Sequence, residues 1–235
     1  NSRVKRVVEP ILLINHDWSI DDKSSLETSI GYQFGEMGNS RLDYAGGANP
    51  SPAYYQDLPS YYLADTDGPD YEGAYIAQEN FINNGQINWN RIYDANLTNN
   101  QANLNAAYVL YEDRVDDTQL TINSAYNREI NENIKVTASA NYRNLVSDNF
   151  AEISDMLGGY SYSNIDSFDY LDYNLLSPNS IVSEGDKFKY HYKMNAEEMS
   201  LFSMINFSFN KLEFYVAGDI TNTTYQRDGI FENEA

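Results

Sequence analysis

The chain has 235 residues, and 35 Asp and Glu against 15 Lys and Arg give a formal net charge of −20. That balance excludes the basic footprint that nucleic-acid phosphates require, while 14% aromatic residues set the chain apart from a disordered acidic tail. Without cysteine there are no disulfides or thiolate metal sites, and no run approaches the ~18 apolar residues of a transmembrane helix.

From the N-terminus, Leu12, Ile14, Trp18 and Ile20 alternate with Asn15, Asp17 and Ser19, and His16 interrupts the apolar side. A two-residue period puts the two sets on opposite faces of a β-strand. The turn Asp21-Asp22-Lys23-Ser24 leads to a second strand, with Leu26, Ile30, Tyr32 and Phe34 against Glu27, Ser29 and Gln33. A third places Leu120, Ile122 and Tyr126 against Gln119, Thr121, Asn123 and Asn127, and its start can be set as early as Ala107. After Asn131-Glu132-Asn133 comes the cleanest alternation, Ile134 to Tyr142. The fifth strand has Met199, Leu201, Ile205, Phe207 and Phe209 on one side; beyond Asn210-Lys211, the sixth has Leu212, Phe214, Val216 and Ile220.

These patterns predict an all-β chain with six strands in three hairpins. Few residues separate the strands within each pair, whereas residues 36–117 and 147–197 form two connections far longer than compact domains use. Short turns at one end and long loops at the other describe part of a transmembrane antiparallel β-barrel with two extracellular loops. A polar mean hydropathy of −0.59 fits such a barrel, whose lipid-facing and lumen-facing residues alternate. Six strands are fewer than the ~8 of the smallest bacterial barrels, so a fragment of a longer chain is expected.

The long connections hold the unusual residues. Ten of the 21 tyrosines and thirteen carboxylates, against three arginines, fall within 36–117. Aromatic rings stack and amides hydrogen-bond, which suits polar ligands; the same residues also serve as internal packing. Asp65, Asp67, Asp70 and Glu72 surround Gly68 and supply the hard oxygens of a calcium loop, but they lack the EF-hand order, and an acidic surface turn is the favoured reading. No other cofactor is expected. The only histidines are His16, in a strand, and His191, in a loop; no nucleophile elbow, P-loop or zincin motif is present, so no enzyme is expected.

Asn49-Pro-Ser-Pro-Ala-Tyr-Tyr-Gln-Asp-Leu-Pro-Ser-Tyr-Tyr62, followed by Ile87-Asn-Trp-Asn-Arg-Ile-Tyr-Asp-Ala-Asn96, resembles the first large extracellular loop of TonB-dependent outer-membrane receptors of Bacteroidota. Tyr108 to Gln119 resembles the strand that re-enters the barrel after it. The resemblance implies a 22-stranded parent in the cell outer membrane, contacting outer-membrane lipid. A plug outside this segment would engage TonB, and a surface lipoprotein lid covers the loops in one branch of the family. Import of a scarce nutrient is the implied function; a non-transport surface protein or adhesin, or a soluble β-sandwich, are the competing expectations. No residue motif carries over for ligand. The candidates therefore rest on composition: Tyr54, Tyr55, Tyr61, Tyr62, Trp89 and Tyr93, with Asp57 and Asn88 as polar partners. Prolines on either side restrict the tyrosine pairs, which makes them a preorganised platform or the struts of the loop.

Overall fold

A computed structural model describes residues 2–64, 66, 68–166 and 171–233. Its centre is an antiparallel sheet of β1 (Lys5–Val8), β2 (Ile11–Asp21), β3 (Ser24–Tyr44), β4 (Tyr108–Asn131), β5 (Ile134–Asp155), β8 (Lys187–Phe209) and β9 (Leu212–Gly229). A two-stranded ribbon, β6 (Tyr162–Ser163) with β7 (Ile181–Val182), lies in the second long connection. The first connection contains a 3-10 turn (Tyr55–Asp57) and three helices: α1 (Pro59–Leu63), α2 (Tyr71–Asn84) and α3 (Trp89–Gln101).

The three hairpins run in the expected order. β1 and β2 both pair with β3, and one register spans them: Val8 faces Glu36 and Ile11 faces Gln33. Pro10 lacks an N–H, so the ladder breaks there. At this break the chain crowds Gly35, whose absent Cβ would lie 2.0 Å from the Val8 carbonyl oxygen. The hairpin turns use local chemistry: Asp21 Oδ1 accepts from Lys23 N at 2.8 Å, Asn131 Oδ1 accepts from Asn133 N at 2.9 Å, and Asn210 adopts a φ of 42°.

Two expectations need correction. The strands reach deeper into the long segments than alternation indicates, leaving connections of 45–107 and 156–186 rather than 36–117 and 147–197. The chain is mostly antiparallel β-sheet, as expected, with the first connection largely helical. His191, placed in a loop by the sequence, lies in β8. Above residue 35, β3 and β4 carry charged and polar side chains on both faces, so no period marks them as strand.

Register aligns the apolar residues into rows. Ile14 faces Ile30, which faces Ile122, then Tyr142, then Met199; Ala140, Leu201 and Ile220 form the next row, and Val136, Ile205 and Val216 another. The result is a largely apolar face that is interrupted on the first strands, where His16, Thr28 and Ser124 continue the Ala140 row and Arg128 and Ser24 continue the Val136 row. Its large side chains on the outer hairpins are exposed, including Leu12, Trp18, Leu201, Phe214 and Ile220. The turns are staggered. Ser24 pairs with Arg128, which pairs with Val136, two residues above the second turn at Ile134; Phe209 at the third turn lies two residues beyond Phe207, the partner of Ile134.

The buried cores sit instead at the far end of the sheet, one on each side. Ile92 of α3 packs with Leu42, Tyr44, Tyr108, Leu110 and Leu157 on the side that carries the apolar band. On the other side, Val109, Tyr111, Ala151, Ile153 and Phe188 pack under Tyr162 and Val182 of the ribbon. Each long connection thus caps one face of the same strand ends.

Candidate functional site

The candidate side chains gather into two groups on the helical lobe. Tyr54, Tyr55, Tyr61 and Tyr62 form one edge-to-face ladder, with ring centroids 4.9, 5.8 and 5.6 Å apart. Pro59 opens α1 and so fixes the step from the first pair to the second. Gln56 Nε2 donates to the Tyr55 hydroxyl at 2.9 Å. Burial first, and the neighbouring Tyr55 second, push the Tyr54 phenol pKa upward, so it stays neutral. Asp57 ends the 3-10 turn with an exposed carboxylate. The inner ring of the ladder is a strut: Tyr62 lies over Gly73 of α2, where a Cβ would approach its Cδ1 to 2.5 Å. Tyr55 and Tyr61 are the exposed rungs.

The second group lies on α3. Asn88 caps the helix, its Oδ1 accepting from Arg91 N at 3.0 Å. Trp89 packs against the core beneath α3, and the Tyr93 ring lies against Gly158 of the second connection. Among the described residues, no ring contact joins this group to the ladder. A separate cavity of about 280 Å³ is lined by Arg3, Arg41, Tyr44, Asn49, Ser51 and Ile87, among others, and by none of the candidate residues. Asn49 Nδ2 donates to the Tyr44 hydroxyl at 3.2 Å on this wall, and Arg41 Nε pairs with Asp113 at 2.7 Å. The cavity is polar-walled and holds a fragment the size of a single small group.

Of the calcium candidates, Asp65 and Asp67 lie outside the described residues. Asp70 is the N-cap of α2, accepting from Gly73 N at 2.9 Å, and Glu72 is exposed in its first turn. Among the described residues no group of three or more metal-ligating side chains comes together.

Two polar clusters escaped the sequence reading because their members are far apart in the chain. At the top of β8 a bulge separates the pairs Phe150–His191 and Ala151–Phe188 and holds Lys189 at a φ of 61°. Asn164 Oδ1 accepts from Lys189 N at 2.9 Å, and Lys189 Nζ meets buried Asp43 at 2.9 Å. Asp43 also accepts from the Tyr162 hydroxyl at 3.1 Å, and burial keeps that phenol neutral by pushing its pKa far up. Beside it, Asp148 Oδ1 meets His191 Nε2 at 2.8 Å, and Lys187 Nζ meets Asp148 Oδ2 at 3.2 Å and lies 3.6 Å above the Phe150 ring centroid. The Lys189 cluster fastens the second connection to the strand ends, and the Asp148 cluster ties β5 to β8.

Comparison with protein-family models gives no match, and comparison with curated proteins gives none.

Proposed function

We propose that the chain forms part of the wall and the ligand-facing loops of an outer-membrane TonB-dependent transporter that imports a scarce nutrient. The observation that carries this reading is the register-aligned apolar band. An antiparallel meander that exposes Leu, Ile, Phe, Trp and Val on one face, with short turns at one end and long connections at the other, fits a lipid-facing barrel surface. In water the same band would be an aggregation liability.

The stagger of the turns supports cylinder geometry. Turns at one rim of a barrel lie at one level, so a shift of two residues per hairpin measures the tilt of the strands. With ~3.4 Å per residue and ~4.8 Å between strands, one residue per strand gives a tilt of about 35°, close to that of barrel strands. In this reading strands from outside the sequence close the sheet, because hydrocarbon does not tolerate open edges. The helical lobe then stands above the membrane, and the second connection leans over the polar, lumen-side face. The cavity and the exposed tyrosines are the first surfaces that cargo meets.

Outer-membrane fractionation tests the proposal. The expected result is a heat-modifiable protein in that fraction, heavier than 26.8 kDa, whose peptides include these residues and a plug. A heat-modifiable protein without a plug would favour the adhesin reading, and a protein of this mass in the aqueous fraction would defeat both.

A further inference from the structure

Helix α2 is built the wrong way round for a helix with nothing bound to it. It buries two small residues, Ala74 and Ala77, and leaves Tyr71 (74% exposed), Tyr75 (64%), Ile76 (51%), Phe81 (44%) and Ile82 (65%) in solvent. Spacings of four and seven place Tyr71, Tyr75 and Ile82 on one side of the helix, with Ile76 and Phe81 to either side of them, and Glu72 and Glu79 run along one flank of that stripe. Amphipathic helices bury their large apolar side chains; one that turns them outward and seats itself with alanines presents a contact surface. Tyrosine is the residue type most suited to such a surface, since it brings contact area with little side-chain entropy to lose.

The charge of the lobe specifies what it meets. Residues 45–107 contain seven carboxylates and a single cation, Arg91. Among the described residues no salt bridge reaches Glu72 or Glu79. We infer that the Tyr71–Tyr75–Ile82 stripe docks a basic polypeptide segment, with Lys or Arg side chains interspersed among apolar ones. Cationic heads reach the two glutamates and lie over the tyrosine faces, where the ring quadrupole attracts them, while apolar side chains cover Ile82. The stripe is convex and ends in an aliphatic residue, which suits a side-chain-bearing peptide better than a sugar, whose hydroxyls need a concave polar frame. The docking surface is argued from the helical lobe alone and assumes no cargo, although its test takes the protein as the outer-membrane barrel proposed above.

The test uses the detergent-solubilised full protein and fluorescence anisotropy with three labelled probes: an amphipathic Lys/Leu peptide, its Glu/Leu counterpart and a neutral oligosaccharide. The Lys/Leu peptide should bind, more weakly as salt rises. Tyr75→Ser with Ile82→Ser, and separately Glu72→Lys with Glu79→Lys, should each weaken it about tenfold. These side chains are exposed, so heat-modifiability should be unchanged, and a variant that alters it is replaced by the single substitution Tyr71→Ser. Equal loss on Glu213→Lys in remote β9 would reduce the effect to non-specific attraction by an acidic protein and overturn the proposal. So would equal binding of the Glu/Leu peptide, or binding of the oligosaccharide alone.

Discussion

Asn96 grips Tyr108 from both sides of its peptide: its Oδ1 accepts the Tyr108 N–H at 3.1 Å and its Nδ2 donates to the Tyr108 carbonyl at 2.8 Å. The same side chain accepts from Ala107 N at 2.9 Å and donates to the carbonyls of Met156 and Leu157, both at 3.1 Å. One fully buried amide therefore ties α3, the start of β4 and the end of β5 together.

Replacing that amide should loosen the whole junction. Asn96→Asp keeps the shape but turns an acceptor toward three carbonyls, and should cost about 3 kcal/mol or more; Asn96→Ala strands the same backbone groups at a cost of about 1–3 kcal/mol. Hydrogen exchange in α3 and at Tyr108–Leu110 should rise in both variants, with little change at the hairpin turns.

The two sides of the sheet should respond differently to charge. Leu201→Arg and Val136→Arg fall on the apolar band and should cost about 2–4 kcal/mol if they lie near a bilayer midplane, whereas Ser200→Arg and Thr137→Arg should be tolerated. The folded fraction on heat-modifiability gels is the readout. Equal losses on both sides would refute a lipid-facing band.

Lys189 and Asp43 are a buried pair whose members should not be removed singly. Lys189→Met leaves the Asp43 carboxylate in the core without its cation, at about 3–5 kcal/mol, and the double variant with Asp43→Leu should recover part of that loss. Proteolytic nicking of the second connection would report it.

Acid should loosen the same region in two steps. Burial lowers the His191 pKa, the Asp148 hydrogen bond opposes this and Lys187 reinforces it, leaving the ring below its ordinary value. The folded chain therefore favours neutral imidazole. Stability falls as pH drops below the unfolded value near ~6.5 and stops falling once the folded ring protonates. Burial raises the Asp148 pKa, but hydrogen bonds from His191 and Lys187 outweigh it, so the net value is lowered. Its contribution is complete above ~3.9 and is lost as pH falls through the folded value. Protection factors at residues 187–191, corrected for the intrinsic pH dependence of exchange, should fall between pH 7 and 5, and His191→Gln should flatten that upper step.

What the sequence made legible was whatever one face of hydrocarbon-like residues could mark. Ile134 to Tyr142 alternates cleanly because one side of that strand is apolar and the other polar. Glu112 to Asp117 is equally strand, yet charge on both faces erases the period. The helices were hidden for a related reason: the only buried residues of α2 are the small Ala74 and Ala77, so no stripe of large apolar side chains marks its packed side. The caps were visible in principle, since Asp70 and Asn88 each stand just before a helix and each accepts a bond from an N–H three residues on. Of the candidate site, the tyrosine ladder follows from its prolines. The Asn96 junction does not, because its partners lie up to 61 positions away.

The interruption at Pro10 divides the first strand into two attachments of unequal grip. β1 holds by four residue pairs, supplemented where Val4 N donates to the Ser40 hydroxyl at 2.7 Å, while β2 holds along its whole length. Thermal or mechanical stress at this corner would peel the four-residue tab first and halt at the proline. The rows of Leu12, Ile14 and Trp18 would remain zipped, so the sheet has a sacrificial flap whose loss costs it none of its apolar rows.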